Sequence, residues 1–222
     1  MLENASFRQG VRDSALIILA VAFFGTAYGV LALSAGFSPW LAIFSSVVIV
    51  SGAAQFAMIG LLAAGPVPVL LAATGLGLRH LPMSAALAGI IGPRPLATRL
   101  RLSFILVDET FGLTVRAANA GVEDVVAYKT AADLMLYTGF VGGTVIGATL
   151  GAAIDPEAVG IGVLFPLLFL GLAAPMIQGR RDWLVAGSAV VASIAATLLL
   201  PSAWQVTVAA VAASAVGMAF GE

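Results

Sequence analysis

Residues 14–78 read SALIILAVAFFGTAYGVLALSAGFSPWLAIFSSVVIVSGAAQFAMIGLLAAGPVPVLLAATGLGL, sixty-five positions without one Asp, Glu, Lys or Arg. A folded surface meets water through polar groups, and a soluble domain carries about 25% charged residues. This chain of 222 residues carries 9%, against 61% hydrophobic, with mean hydropathy +1.09. The apolar side chains must therefore face lipid. A helix needs about 20 residues to cross the roughly 30 Å hydrocarbon core, so 14–78 has room for about three crossings. Further charge-free runs cover 134–154, 158–179 and 183–221. By the same measure they hold about one, one and two crossings. Helices satisfy every backbone group within one segment. A transmembrane barrel would alternate in polarity over segments of about ten residues, whereas these blocks are unbroken. The expected fold is all-α: a polytopic membrane helix bundle of six to eight spans, with a broken or re-entrant helix in the middle third, forming one integral membrane domain over residues 1–222.

Composition excludes several functions. The net charge is -1, with no basic patch interleaved with aromatics, which argues against nucleic acid. With no cysteine there are no disulfides and no thiolate metal sites. His80 is the only histidine, so a histidine-rich metal site is excluded, while one His with two carboxylates stays open. No P-loop, G-x-S-x-G or H-E-x-x-H motif occurs. Neither an enzyme nor a bound cofactor is expected. Arg8 and Arg12 precede the first apolar block, and Ala32-Leu33-Ser34 loosely matches a cleavage site. The block over 14–33 is longer than a signal h-region, which favours a retained first helix.

Punctuation divides the chain further. Helices are expected at about 14–33 and 40–64. The apolar stretch 67–91 is interrupted by Gly75-Leu76-Gly77-Leu78-Arg79-His80-Leu81-Pro82. Two glycines and a proline beside cationic groups suit a straight membrane helix poorly, which points to two half-helices meeting near Arg79. A basic connection carries Arg94, Arg99 and Arg101. Residues 102–118 are expected to be helical, 119–130 a polar connection, and 133–152, 159–177, 183–200 and 204–220 helical. Lys and Arg in short loops favour the cytoplasmic side. Arg8 and Arg12 place the N-terminus inside, and Lys129 with Arg180 and Arg181 places later loops, and the C-terminus, inside as well. Residues 52–55 and 171–175, each after a helix–proline–helix unit, form a weak internal echo of the kind transporters use.

Charges inside apolar segments cost about 2.5 to 3.5 kcal/mol at a helix centre, so they need a partner or a polar passenger. Three places meet this description. A helix break at Arg79-His80 frees backbone groups and sets a guanidinium, suited to a carboxylate, beside an imidazole suited to a proton. A surface loop is the bland alternative there. Asp108 and Glu109 lie about 10 Å along one helix from Arg101 and Arg116, too far for pairing within it. Arg79 is then the obvious counter-ion, whether the pair docks two helices or binds a ligand. Third, Ser51-Gly52-Ala53-Ala54-Gln55-Phe56 joins small residues suited to close helix packing with Gln55, which offers two donors and an acceptor.

In order and spacing, Ser51-Gly52-Ala53-Ala54-Gln55-Phe56, Leu78-Arg79-His80 and Asp108-Glu109-Thr110-Phe111, with Phe24-Gly25-Thr26-Ala27-Tyr28-Gly29-Val30, resemble the AzlC family of branched-chain amino acid permeases. Members usually carry Asn where this chain has Gly77, and a Leu-Tyr-like pair where it has Pro82-Met83. The resemblance implies secondary transport, mostly export, of branched-chain amino acids across the bacterial inner membrane. It also implies a small AzlD-type membrane partner. Residues expected to touch substrate are Gln55, Phe56, Arg79, His80, Asp108 and Glu109, with proton exchange at His80 or a carboxylate. A non-catalytic subunit of a larger transport complex and, less favoured, an intramembrane enzyme are the alternatives.

Overall fold

A computed structural model describes residues 2–151, 170, 177, 179–200 and 202–219. Among them all regular structure is helical: α1 (Leu2–Ser14), α2 (Ile17–Ser34), α3 (Pro39–Val48), α4 (Gly52–Leu61, prolonged by a 3-10 turn over Leu62–Ala64), α5 (Pro66–Leu78), α6 (His80–Ile91), α7 (Leu96–Phe104), α8 (Asp108–Asn119), α9 (Val125–Leu150), α10 (Arg180–Leu199) and α11 (Ser202–Ala219). Three of these, α2, α9 and α10, are long and apolar enough to cross a membrane. The chain groups into two compact units, Met1–Gln55 with Leu76–Val159, and Phe56–Gly75 with Gly160–Glu222.

The first unit is organised around α9, against which α1, α2, α3, α7 and α8 all pack. Its start is set locally. Gly121, at φ 76, ends the preceding turn in the left-handed region that favours glycine. Asp124 then caps α9, its Oδ1 accepting from Val126 N at 3.1 Å and Ala127 N at 3.0 Å. Further along, Gly139, Gly143, Gly147 and Gly151 recur every fourth residue and lie against α2, while Gly25 and Gly29 of α2 lie against the backbone of α9. A Cβ on Gly29 would stand 2.6 Å from Thr144 O and Ala148 N. One on Gly143 would strike Ala22 O, and one on Gly147 would strike Thr26 O. Lipid tails are as apolar as leucine, so membrane helices associate by such close packing rather than by hydrophobic exclusion.

In the second unit α10 packs on α11. Asp182 caps α10, its Oδ2 accepting from Gly179 N at 2.9 Å, and Arg181 Nη2 donates to Gly217 O at 2.8 Å.

The membrane-type helical bundle agrees with the composition, and the break near Arg79 falls where its glycines and proline point. Several boundaries differ. The helix expected over 40–64 is interrupted at residues 49–51, after a run of β-branched residues that crowd a helix. The helix expected over 102–118 is two helices divided at residues 105–107, so Arg101 and Asp108 share no helix axis. Residues 2–14 form a helix that composition did not suggest. Lys129 lies inside α9 rather than in a loop, so it carries no weight for orientation. The echo at 171–175 and most of the expected helix at 159–177 lie outside the described residues.

Gly143→Val should lower the midpoint of thermal unfolding in detergent sharply. Overpacking against side chains costs about 1–3 kcal/mol, and this clash is with backbone. Gly142→Ala is the control. Nothing lies within 4 Å of its added methyl, so stability should hold or rise.

Candidate functional site

Two interruptions in the first unit bring opposite charges together. Arg79 is the residue between α5 and α6, with helical backbone angles of φ -59 and ψ -25. Next to it, His80 Nδ1 lies 3.0 Å from Gly77 O. A carbonyl only accepts, so Nδ1 carries the hydrogen and the neutral ring's acceptor is Nε2. Across from this junction α8 begins. Val107 is extended, and Thr110 Oγ1 accepts from Val107 N at 3.3 Å, which closes the first turn. Asp108 and Glu109 occupy that turn, where the exposed N–H groups of a helix start favour anions.

Helix α6 packs on α8, and Arg79 Nη1 lies 3.0 Å from Asp108 Oδ2. The Arg79 side chain is 38% exposed and that of Asp108 52%, so the pair is open on one side. Glu109 lies within electrostatic range of both. Arg79 Nε is buried and has no hydrogen-bond partner among the described residues. The sequence-expected Arg79, His80, Asp108 and Glu109 thus gather at one place.

Gln55 lies elsewhere in the same unit, fully buried. It bridges the break between α3 and α4. Oriented to satisfy both ends of its amide, its nitrogen donates to Ile49 O at 3.1 Å, and its oxygen accepts from Ser46 Oγ at 2.9 Å and Ser46 N at 3.3 Å. Ser46 Oγ also meets Thr144 Oγ1 of α9 at 2.9 Å. Tyr137 of α9 donates to Val47 O at 2.9 Å. Ser45 donates to Ala42 O at 2.7 Å, so the Tyr28 hydroxyl, 2.6 Å away, is the donor to Ser45. Phe56 is buried and belongs to the second unit.

A family model, described as AzlC protein, matches residues 16–154. The chain belongs to the AzlC family. An uncharacterized membrane protein of Archaeoglobus fulgidus is 30% identical over 186 residues, covering 81% of this chain and 80% of its own. The inner membrane protein YgaZ of Escherichia coli K12 is 28% identical over 207 residues, covering 88% and 83%. No solved structure matches significantly. Membership connects the chain with membrane transport, and the AzlC match takes in α2 to α9 and hence every site residue above.

The AzlC region also holds charges that sequence reasoning assigned to a loop and a helix start. Lys129 Nζ donates to Asp133 Oδ1 at 2.7 Å and Oδ2 at 2.6 Å, with side chains 0% and 4% exposed. Beside them Tyr128 donates to Asp13 Oδ2 of α1 at 2.9 Å. The missed signal was spacing: Lys and Asp four apart share a helix face, and apolar residues surround them in 125–136.

Gln55→Leu should strand Ile49 O and take one partner from the buried Ser46. The expected loss is about 1–3 kcal/mol, the desolvation cost of unpaired polar groups. It should appear as a lower unfolding midpoint in detergent, whereas Gln55→Glu, which keeps an acceptor for Ser46, should lose less. Equal midpoints for Gln55→Leu and the parent would refute the role of Gln55 as the clamp of this break.

Proposed function

We propose that this AzlC-family protein is a secondary transporter that exports branched-chain or similar apolar amino acids across the inner membrane, coupled to protons, together with a small AzlD-type membrane subunit. The observation that carries this reading is the half-exposed Arg79–Asp108 pair with Glu109 beside it. An amino acid is a zwitterion. Entering such a pair, its carboxylate takes the guanidinium, while its ammonium takes Asp108 or Glu109. One ion pair becomes two, and no charge is left bare in a medium where that is expensive. The partnerless Nε of Arg79 is a further donor toward a carboxylate, which guanidinium groups grip through two parallel N–H bonds. His80 stands next to Arg79, its Nδ1 turned to Gly77 O. Gln55 serves this site by holding the α3–α4 break rather than by direct contact. We read the N-terminus as cytoplasmic from Arg8 and Arg12, which precede the first apolar block, and the C-terminus as lying on the same side.

The same pair also joins α6 to α8, and a purely structural role in a transport complex is the competing reading. Vesicles carrying this chain and its small partner, loaded with labelled leucine, distinguish the two. An imposed pH gradient should drive efflux. Arg79→Ala and Asp108→Asn should each slow it by about tenfold or more, since hydrogen bonds to charged groups contribute about 1.5–3 kcal/mol. Efflux and pH dependence untouched by both substitutions would remove the site assignment. Efflux restored by exchanging the two residues, Arg79→Asp with Asp108→Arg, would favour helix docking over ligand binding.

A further inference from the structure

The apolar side chains of α7 turn mostly away from the unit it belongs to. Leu96, Leu100 and Phe104 are 67%, 62% and 56% exposed, while Leu102 is buried. At about 100° per residue the first three follow one another along one stripe, and Leu102 points nearly the opposite way. Arg99 and Arg101 stand about 60° beyond the two edges of that stripe, with only Ala97 and Ser103 between them and it. Arg101 Nη2 donates to Thr130 Oγ1 of α9 at 3.3 Å. Arg99, and Arg94 just before the helix, are exposed and pair with no carboxylate among the described residues. The sequence has no Asp or Glu between Asp13 and Asp108.

The height of α7 in the first unit says what this face meets. Helices α1 and α2 run alongside α9 in the same direction. Ser6 Oγ accepts from Asp124 N at 3.4 Å, and Asp13 Oδ2 accepts from the Tyr128 hydroxyl at 2.9 Å. Ile18, Ala22, Thr26 and Val30 then lie against Gly139, Gly143, Gly147 and Gly151 in turn. Charges are confined to one end of this alignment. The last on α1 and α2 is Asp13, and the last on α9 is Asp133. The uncharged remainder marks where hydrocarbon begins, near Ser14 and Leu134. Thr130, where Arg101 is held, lies about 6 Å along the axis from Leu134, on the polar side. That is the depth of lipid headgroups. A helix of nine residues, about 14 Å long, is too short to span the core.

We infer that α7 is an in-plane helix that binds anionic phospholipid, with Leu96, Leu100 and Phe104 among the acyl chains and Arg94 and Arg99 on the phosphates. An apolar stripe rimmed by long cationic side chains suits that boundary, because the stems lie along apolar surface while the charged heads stay with the headgroups. A second protein helix would cover the stripe and leave Arg94 and Arg99 without an anion. Helix α7 links α6 to α8, the two helices joined by Arg79 and Asp108, so this lipid sits on the connection between them. The inference stands on the membrane fold and is independent of which solute is carried.

The chain has no cysteine, so one spin label can be placed on it. Leu100→Cys is labelled in the full-length protein, in phosphatidylcholine vesicles containing phosphatidylglycerol. The label should be relaxed by dissolved oxygen and shielded from an aqueous nickel chelate, at about 5–10 Å below the phosphates. A label relaxed mainly by nickel would put the stripe in water and overturn the inference. So would a label reached by neither, or one broadened by a neighbouring label, since another protein surface or a second copy would then cover α7. Headgroup choice is read by native mass spectrometry in neutral detergent, with phosphatidylglycerol or phosphatidylcholine titrated in. Arg94→Gln with Arg99→Gln should weaken phosphatidylglycerol binding about tenfold or more and leave phosphatidylcholine binding unchanged. Both arginines are exposed and without an ion partner, so this double variant should unfold at the parent's midpoint. Phosphatidylglycerol binding equal in the double variant and the parent overturns the assignment of the two arginines.

Discussion

Helix α9 lies so close to α2 that carbonyl oxygens of one occupy the space where side chains of the other would begin. Only glycine allows that approach, and the repeat of glycine every fourth residue from Gly139 to Gly151 keeps it on one face. The consequence extends beyond packing. Helices α1, α2, α3, α7 and α8 are all laid against α9. Its inward-facing polar groups find partners there. Thr144 meets Ser46, Tyr137 reaches Val47 O, Tyr128 reaches Asp13, and Lys129 turns to Asp133. The glycine half is held rigidly against α2, while the N-terminal half carries the charges about 9 Å away along the axis.

The breaks in the first unit follow the same logic. Interrupting a helix frees N–H and C=O groups that lipid cannot satisfy. At residues 49–51 the Gln55 amide and the Tyr137 hydroxyl take up carbonyls at Ile49 and Val47. At Arg79 the neighbouring His80 caps Gly77 O. At residues 105–107 Thr110 closes the turn. Each interruption thus comes with a polar side chain one to six residues away. That is why Gln55, Arg79, His80 and Asp108 all cluster at breaks rather than in helix interiors.

Much of this was legible in the sequence because electroneutrality in lipid is a severe rule. Sixty-five uncharged residues in a row admit few folds, and a lone Arg79 in apolar surroundings needs an anion such as Asp108. The rule fails where a boundary depends on a single cap. Asn119, Gly121, Glu123 and Asp124 make a polar stretch, and extending it to Lys129 follows composition. The actual limit is the Asp124 side chain, which starts α9 at once and carries Lys129 into the interior. The break at 49–51 was hidden for the opposite reason. Ile49 and Val50 are as apolar as any helix interior, and only their β-branching hints at the interruption. The hydrogen bonds that stabilise it come from Tyr137, ninety residues further along the chain than the carbonyl it meets.

Exposure separates the roles of the two ion pairs. Arg79 and Asp108 are open enough for a molecule to come between them and take over both partners. Lys129 and Asp133 are not, since a side chain 0–4% exposed admits no ligand with a charged head of its own. Asp108, which faces Arg79, and Thr110 share the first turn of α8, and that turn is closed within itself, Thr110 Oγ1 accepting from Val107 N at 3.3 Å and donating to Val107 O at 3.2 Å.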